Sequence, residues 1–583
     1  MRSLLASVLW IVLSAAILAA AAWHLAFRKG TDIPVAITAP VSATARVSWL
    51  PEKDVRIRVS SPADVETALG VAHGTGRPWL MALYRQAALG RLAEWFGPDL
   101  VPLDLHARQM GLAVSSEELG RLSAATRGRL DAYAAGVRAA QASLDWSLLP
   151  AAVQAGFVPE PWRPEHTTSV ERLFAWLGSP VDPTSPAGVA RDSLAAFLGL
   201  QGLDRSLSWA TRSGNLYARL MMGDSGVPPV LAVHIEAAGR TVFEGATLPG
   251  LPYRLCGRSE TAVWCKMPGG HAEIRTDSLP GEPQFFPVRV SDGSVVAGRR
   301  EMHAEGLGLG SAGQVLAWSG FSRLTDAEAW LGLPSAGEFG LSPRGGMTSA
   351  GGGFLPLGEG IVEIGSVVIS GQAPETELLG RRLDAIDDTL SIPVRLLEDR
   401  GSILADSTAA EVTRLLLSTL DSDTESYLRN WDGTFGPSSI AASLFDLSRR
   451  YGPASEDSLR LWFGPDAQLW RWERDPGLRL HYPAARAAGL PERFDSVEWL
   501  RGGHPTSPAW GPSRGFEPTT DYLPAAAWEA YLGRAGAPGR LSYRRPRVPY
   551  DDFLGRFRAA PVRPEITTLS GPAVAETEIR PRR

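Results

Sequence analysis

The sequence predicts an α+β protein in which two helical portions flank a strand-rich portion. Between residues 63 and 140, apolar residues recur at spacings of three and four with arginine and glutamate between them, as in amphipathic helices. After residue 207 the pattern changes to short apolar runs broken by glycine and proline, and it continues to about residue 368. Helical periodicity then returns in LLGRRLDAIDD, AAEVTRLLLSTL and SIAASLFDLSRRY. This order favours a layered α+β fold over a repeat architecture.

The composition excludes several classes of protein. The chain has 583 residues, 44% of them hydrophobic, and a formal net charge of -5, which is typical of a globular protein with a large core. Its arginines form no cluster of the kind that binds nucleic acid. Its nine histidines lack partners at metal-ligand spacing, so we expect neither a metal nor a cofactor. We interpret His73, His234 and His271 as structural.

A long apolar segment lies close to the amino terminus. Residues 4–27 read LLASVLWIVLSAAILAAAAWHLAF, which is uncharged and as long as a helix that crosses a bilayer. The preferred interpretation is a membrane anchor, with the remaining chain as one extracytoplasmic, periplasmic body. A cleaved signal peptide followed by secretion is the alternative, because three consecutive alanines at positions 20–22 offer a small-residue cleavage site.

Composition and periodicity divide the chain into five parts. Residues 1–30 are the predicted anchor or signal, and residues 31–54 are a spacer rich in proline, alanine and threonine. Residues 55–205 form the first, helix-rich portion, and residues 206–563 form the second portion. Residues 564–583 are rich in arginine and proline and are predicted to be a disordered tail.

The two cysteines of the chain lie in one predicted hairpin. Cys256 and Cys265 stand in YRLCGRSETAVWCKM, where two apolar runs flank the polar residues 258–261. This spacing suits a cross-strand pair and fits no metal motif. An exported protein would form a disulfide here, with Cα atoms within about 7 Å of each other, whereas two buried thiols are the alternative.

Several motifs occur in an order that resembles a known family. The front portion contains DVETALGVAHGTGRPWLMALYRQAALGRLAEWFG, then LDAYAAGVRAA and VPEPWRPEH. Further along stand TVFEGATLPGLPYRLCGRSETAVW, NWDGTFGPSSIAASLF and AWGPSRGFEP. Together they cover most of residues 64–518 and resemble the penicillin acylase family of N-terminal-nucleophile hydrolases. The resemblance implies a four-layer αββα sandwich, in which residues 55–205 correspond to the family's first chain and residues 206–563 to its second.

The resemblance also implies a site and a reaction. The family's second chain begins with a serine nucleophile in a Ser-Asn-x-Trp setting, and Ser206 begins the matching Ser-Leu-Ser-Trp. Ser206 would use its own α-amino group as the base. The oxyanion would be bound by a backbone N–H near Ala262 and by Gln372, which stands where the family has an asparagine. The substrate would be a small acylated amine, cleaved at a non-peptide amide bond.

Two departures from the family pattern set two hypotheses against each other. Arg205 replaces the glycine that usually precedes the nucleophile, and Gln372 replaces the asparagine. The only asparagines in the chain are Asn215 and Asn430. One hypothesis is an impaired amide hydrolase, since loss of one oxyanion donor costs about 100 to 1,000-fold in rate. The other is a catalytically silent, membrane-tethered homologue that binds a ligand or a protein partner. Either way we expect a single chain, uncut before Ser206.

Overall fold

The computed structural model of the protein describes residues 33–50, 54–144, 160–179, 181, 185–200, 203, 206–211, 216–221, 230–260, 262–266, 269, 272–276, 281–304, 306–309, 314–322, 346–350, 354–357, 361–364, 367–370, 527–533, 541–544, 550–551, 556–557 and 569–582. Residues 4–27, the predicted anchor, lie outside these ranges. Among the helices within them, none is long and apolar enough to cross a membrane.

Among the described residues, most of the helices fall in the front portion of the chain. They are α1 (Val65–Gly76), α2 (Pro78–Leu89), α3 (Ala93–Phe96), α4 (Val101–Gln109), α5 (Ser116–Leu119), α6 (Ala124–Ser143), α7 (Pro164–Leu177), α8 (Pro186–Leu198) and α9 (Ser319–Ser322). Side chains cap several of their first turns: Ser123 accepts from the N–H of Thr126 ahead of α6, and Ser185 accepts from that of Gly188 ahead of α8.

Strands precede, follow and outnumber these helices. They are β1 (Ala36–Ala39), β2 (Ala45–Trp49), β3 (Val55–Val59), β4 (Leu207–Thr211), β5 (Leu216–Met221), β6 (Leu231–Ala237), β7 (Arg240–Thr247), β8 (Arg254–Arg258), β9 (Ala262–Lys266), β10 (Ala272–Thr276), β11 (Glu282–Arg289), β12 (Val295–Met302), β13 (Leu307–Gly308), β14 (Gln314–Trp318), β15 (Gly346–Ala350), β16 (Phe354–Leu357), β17 (Ile361–Ile364), β18 (Val367–Ser370), β19 (Ala527–Gly533), β20 (Ser542–Arg544), β21 (Tyr550–Asp551), β22 (Arg556–Phe557) and β23 (Ala575–Pro581).

The strands form two large sheets and two smaller ones. A ten-stranded sheet has the order β1-β23-β2-β3-β6-β7-β8-β9-β15-β16, and a six-stranded sheet has the order β17-β18-β4-β5-β19-β20. A five-stranded sheet (β10-β14-β13-β12-β11) and the pair β21-β22 complete the described strands. The strand pair β4 and β5, which follows directly after the first helical portion, lies at the centre of the six-stranded sheet.

Helices and sheets pack in layers. Helix α1 contacts α6 and also lies on strands β2, β3 and β6 of the ten-stranded sheet. The six-stranded sheet packs against the other half of the ten-stranded sheet, with β4 on β15, β5 on β9 and β19 on both β8 and β9. The predicted mixed fold of helices and sheets is confirmed. The second helical portion, after residue 371, lies outside the described residues, and the complete αββα arrangement stays a prediction.

Two glycines allow α1 and α6 to touch through their backbones. A Cβ atom on Gly70 would lie 2.3 Å from the carbonyl oxygen of Tyr133, and one on Gly136 would lie 2.0 Å from the carbonyl oxygen of Thr67. Both distances are far below van der Waals contact, so any side chain at either position forces the helices apart. The close crossing explains why glycine stands at these two points of helices that otherwise disfavour it.

Strands β1, β2 and β23 form in segments for which the sequence predicts no strand. Residues 31–54, interpreted as a spacer, contain β1 and β2, and the predicted disordered tail over residues 564–583 contains β23. Strand β23 lies between β1 and β2, parallel to the first and antiparallel to the second. Its buried residues Thr577 and Ile579 alternate with more exposed glutamates. The indole N–H of Trp49 donates to the Thr577 hydroxyl at 3.0 Å. The alternation spans few residues, most of them polar, so the composition of the segment did not indicate a strand.

Candidate active site

Ser206 lies at the entrance to the central strand of the six-stranded sheet. It directly precedes β4 and is 2% exposed. Its backbone N–H donates to the carbonyl oxygen of Leu203 at 3.3 Å, which closes a turn ahead of the strand. As long as the bond to Arg205 is intact, this nitrogen is a peptide nitrogen and cannot act as a base.

Ser208 is the second residue of β4, two positions after Ser206. In the sheet it lies opposite Ser370 of β18 on one side and Ala218 of β5 on the other. Ser208 is completely buried, and its hydroxyl oxygen has no hydrogen-bond partner among the described residues. Sequence reasoning passed over this residue, because a serine in a strand carries no signal of whether its hydroxyl is paired.

Gln372, the predicted substitute oxyanion donor, lies outside the described residues. Strand β18 ends two positions earlier, at Ser370, which is the partner of Ser208. The structure therefore makes the strand that leads to Gln372 a direct neighbour of the strand that begins after Ser206.

The second predicted oxyanion donor, the backbone N–H of Ala262, is already engaged. Ala262 is the first residue of β9, and its N–H donates to the hydroxyl oxygen of Ser259, which directly follows β8, at 3.1 Å. The N–H of Ser259 donates in turn to the carbonyl oxygen of Ala262 at 2.8 Å. Both residues are buried, with 8% and 6% of their surfaces exposed. For Ala262 to bind an oxyanion, the Ser259 hydroxyl must first give up this hydrogen bond.

The same hairpin carries the two cysteines. Cys256 and Cys265 are directly opposite each other on β8 and β9, fully buried, and joined by a disulfide bond. Their Cα atoms are 3.9 Å apart. The bond ties together the two strands that hold the Ser259–Ala262 turn.

A buried histidine connects the helices to the ten-stranded sheet. The hydroxyl of Tyr133 on α6 accepts from the N–H of Gly250 at 3.0 Å and donates to Nδ1 of His73 on α1 at 2.8 Å. The hydroxyl of Thr247 on β7 donates to the carbonyl of Leu231 at 3.0 Å and lies 2.9 Å from Nε2 of His73. These partners place the proton of His73 on Nε2. Burial, with the nearby Arg77 charge, lowers the pKa of His73 to about 3, so the ring is neutral.

Glu244 on β7 joins the two large sheets. Its buried carboxylate accepts from the backbone N–H of Leu541, next to β20, at 3.2 Å. Its other oxygen lies 3.9 Å from Nδ1 of His234 on the neighbouring strand β6. Sequence reasoning missed this connection, since the partners are nearly 300 positions apart. The surroundings of His73 and His234 are consistent with structural roles.

No group of three or more His, Cys, Asp or Glu side chains within the described ranges is arranged to hold a metal ion. The residues of the candidate site that the structure describes carry hydroxyl groups, on Ser206 and Ser208, and a backbone N–H, on Ala262. Such groups suit nucleophilic attack on a carbonyl and hydrogen bonding to the oxyanion that results.

The comparisons with known proteins bear directly on this site. The family model described as penicillin amidase matches residues 55–266. The resemblance to the penicillin acylase family is thus confirmed over this segment. The matched segment of this chain contains Ser206 and the complete β8–β9 hairpin with Ala262. It ends before Gln372.

One curated relative and one solved structure give the extent of the similarity. Penicillin acylase 2 proenzyme of Pseudomonas sp. (strain SE83) is 38% identical over 127 residues, which are 21% of this chain and 16% of that relative. The thermostable penicillin G acylase from Alcaligenes faecalis, in orthorhombic form, covers 58% of this chain and 89% of its own at 10% identity. Its TM-score is 0.30, and similarity at that level carries no weight for the fold.

Proposed function

We propose that the chain is an amide hydrolase of the penicillin acylase type that acts on the non-peptide C–N bond of small acylated amines, with Ser206 as nucleophile. The observation that carries the proposal is the position of Ser206. It stands inside the segment that matches the penicillin amidase family, buried at the start of the central strand of the six-stranded sheet.

The proposed reaction needs cleavage of the chain before Ser206. The freed α-amine of Ser206 takes the proton of its own hydroxyl while the oxygen attacks the amide carbonyl. The tetrahedral intermediate collapses to an ester on Ser206, and the proton passes to the departing amine. Water then hydrolyses the ester and releases the carboxylic acid.

Three features support a low rate of amide hydrolysis. Arg205 lacks the backbone freedom that glycine would give the bond to be cut. The N–H of Ala262 is held by Ser259, and a glutamine takes the place of the oxyanion asparagine. The proposed state is therefore a chain that is mostly uncut, in which the small cleaved fraction carries the activity.

We also propose that residues 4–27 anchor the protein in a membrane with its body outside the cytoplasm. The disulfide between Cys256 and Cys265 supports an oxidising compartment. A reporter that is active only outside the cytoplasm, fused after Arg583, should be active. Activity of a cytoplasm-dependent reporter at the same position, or release of the protein by a salt wash, would contradict the anchored topology.

The occupied N–H of Ala262 favours a second candidate, a catalytically silent membrane-tethered protein that binds a ligand or a protein partner. To separate the hydrolase from the silent protein, the wild-type chain is compared with Ser206→Ala. The rates at which they hydrolyse phenylacetyl and fatty-acyl amides are measured over long incubations. The hydrolase proposal expects activity to fall at least about 100-fold on loss of the nucleophile. Ser193→Ala, which changes an exposed serine on α8, is the matched control and should keep full activity. Equal activity of wild type and Ser206→Ala would favour the silent protein.

A further inference from the structure

One end of the ten-stranded sheet carries exposed apolar side chains. Strands β1 and β23 run parallel, so both begin at this end, which we call the entry end. Val35 directly precedes β1 and Val574 directly precedes β23, and 79% and 64% of their surfaces are exposed. Apolar side chains are therefore exposed at the end of the sheet where the described chain begins after residues 4–27.

Helix α1 returns the chain to the entry end. Strand β2 is antiparallel to β23, so it finishes at the entry end with Trp49. The Trp49 ring lies against Gly76, the last residue of α1, where an added Cβ atom would be 3.1 Å from the ring. Trp79 follows as the second residue of α2. The start of α2 is therefore also at the entry end.

Four aromatic side chains form a continuous group beside the start of α2. Trp79 stacks on Trp95 of α3 with ring centroids 5.9 Å apart, and Phe96 contacts both tryptophans edge-on. Phe96 also contacts Phe197, near the end of α8, at 5.5 Å. We call these four residues the aromatic surface. The two phenylalanines are 39% and 37% exposed. Exposed apolar groups in mutual contact are typical of a binding surface.

The proposed anchor limits how far the entry end can lie from a membrane. Only residues 28–32 separate Phe27, the last residue of the apolar segment, from Ile33, the first described residue. A fully extended chain covers at most about 22 Å between these two positions. With residues 4–27 in a bilayer, the entry end is therefore held close to the headgroups.

We infer that the aromatic surface inserts its exposed rings between the lipid headgroups and so holds the body of the protein on the bilayer. The inference rests on the proposed anchor and goes beyond the proposed hydrolase function. Tryptophan and phenylalanine rings favour the boundary between headgroups and acyl chains. A short tether also keeps the bilayer at a high effective concentration, so that a small surface is sufficient.

The size of the aromatic surface favours a bilayer over a second copy of the chain. A stable interface between proteins buries about 800 Å² on each partner. A fully buried aromatic side chain contributes about 150–250 Å², and only the two phenylalanines of the aromatic surface are more than a third exposed. The exposed rings therefore supply less area than a dimer requires.

Fluorescence quenching by lipids tests the inference on the full-length chain in vesicles of phosphatidylethanolamine and phosphatidylglycerol. Ser193, exposed on α8 one turn before Phe197, is changed to cysteine (Ser193→Cys) and labelled with nitrobenzoxadiazole. Cys256 and Cys265 are joined in the disulfide, so the label attaches to the introduced cysteine. Arg240→Cys is the matched control on an exposed residue of β7.

Arg240 lies at the opposite end of the sheet. Strand β3 is antiparallel to β2 and begins at the entry end, and β6 runs parallel to β3. Arg240 is the partner of Ala237, the last residue of β6. Lipids with a nitroxide high on the acyl chain should therefore quench the label at position 193 several-fold more than the label at position 240.

Phe96→Asp and Phe197→Asp, added together to the chain labelled at position 193, should lower its quenching to that at position 240. Carboxylates are costly to place among acyl chains. Quenching at position 193 that persists in this variant would overturn the inference. Equal quenching at positions 193 and 240 in the chain with intact phenylalanines would also overturn it, and this comparison does not depend on the folding of the aspartate variant.

Two further readouts distinguish the other outcomes. A label at position 193 that is shielded from aqueous iodide but not quenched by the nitroxide lipids would show that a protein covers the aromatic surface, and the inference would be wrong. A chain that floats with the vesicles while its label stays unquenched contradicts the docking alone. A chain that does not float with them contradicts the anchor as well. The hydrolase proposal is tested separately, by the dependence of amide hydrolysis on Ser206.

Discussion

The hydrogen bonds around His73, where α1 and α6 meet the ten-stranded sheet, differ from those of Ser208 and Ala262 in how they are formed. In the first region, His73 is completely buried and both ring nitrogens have hydroxyl partners, which themselves have backbone partners. In the second, the hydroxyl of Ser208 has no partner among the described residues, and the N–H of Ala262 is held by Ser259. The hydrogen bonds of His73 are thus complete within the fold, although the buried hydroxyl of Thr75 on α1, like that of Ser208, has no partner among the described residues. At the candidate site the proposed oxyanion donor is already engaged.

The largest stability effect should come from the helix crossing, which tests the His73 side of this comparison. Gly136→Ala places a Cβ atom 2.0 Å from a backbone oxygen of α1, and we expect a loss of about 3 kcal/mol or more in the free energy of unfolding. Gly128→Ala on the same helix is the control. A Cβ there has no neighbour within 4 Å, so this variant should be neutral or up to about 1 kcal/mol more stable. Similar urea-unfolding curves for the two variants would contradict the conclusion that Gly136 is needed for the close crossing of α1 and α6.

The second-largest expected effect is a dependence of the free energy of unfolding on pH. Burial lowers the pKa of His73 to about 3, and burial also lowers that of His106 to about 4 and that of His166, beside three arginines, to about 3. The unfolded chain, with histidine pKa values near 6.5, binds more protons than the folded chain below that pH. The stability that depends on these three histidines being neutral is therefore fully present above about pH 6.5. It is lost as the pH falls towards 3 to 4.

The contribution of His73 can be isolated with His73→Gln. Between pH 7.5 and pH 5.0, one such histidine accounts for about 2 kcal/mol of lost stability. The variant should be less stable than wild type at pH 7.5, because it loses the hydrogen bond from Tyr133, but it should lose about 2 kcal/mol less on acidification. Equal acid losses in urea titrations of the two proteins would show that His73 does not titrate as described.

The smallest expected effect concerns the Ser259 turn. Ser259→Ala removes the oxygen that holds the N–H of Ala262, while the second hydrogen bond of the turn, from the Ser259 backbone, remains. We expect hydrolysis of a phenylacetyl amide by the cleaved fraction to rise a few-fold, because the N–H becomes available to the oxyanion. An unchanged or lower rate in a chain of unchanged melting temperature would exclude Ala262 from the reaction.

The sequence predicted the parts of the molecule that depend on local patterns. The helices of the front portion follow the three-and-four spacing of their apolar residues, and the hairpin of Cys256 and Cys265 follows from two apolar runs around a polar turn. Strand β23 was missed because it has few apolar residues, although Thr577 and Ile579 alternate correctly. The engagement of Ala262 by Ser259 and the isolation of Ser208 depend on distances in the folded chain, which no residue pattern encodes.

If maturation at Arg205 limits the activity of the site, the Arg205→Gly variant should mature more completely than the wild-type chain. Intact-mass analysis of the purified full-length chain is compared for wild type, Arg205→Gly and Arg205→Ala, the last of which removes the charge without adding the backbone freedom of glycine. We expect a predominantly single chain for wild type and Arg205→Ala. For Arg205→Gly we expect two fragments, the second beginning at Ser206, with amide hydrolysis increased in proportion. Complete cleavage of the wild-type chain at Ser206, or an uncut Arg205→Gly chain, would contradict these expectations.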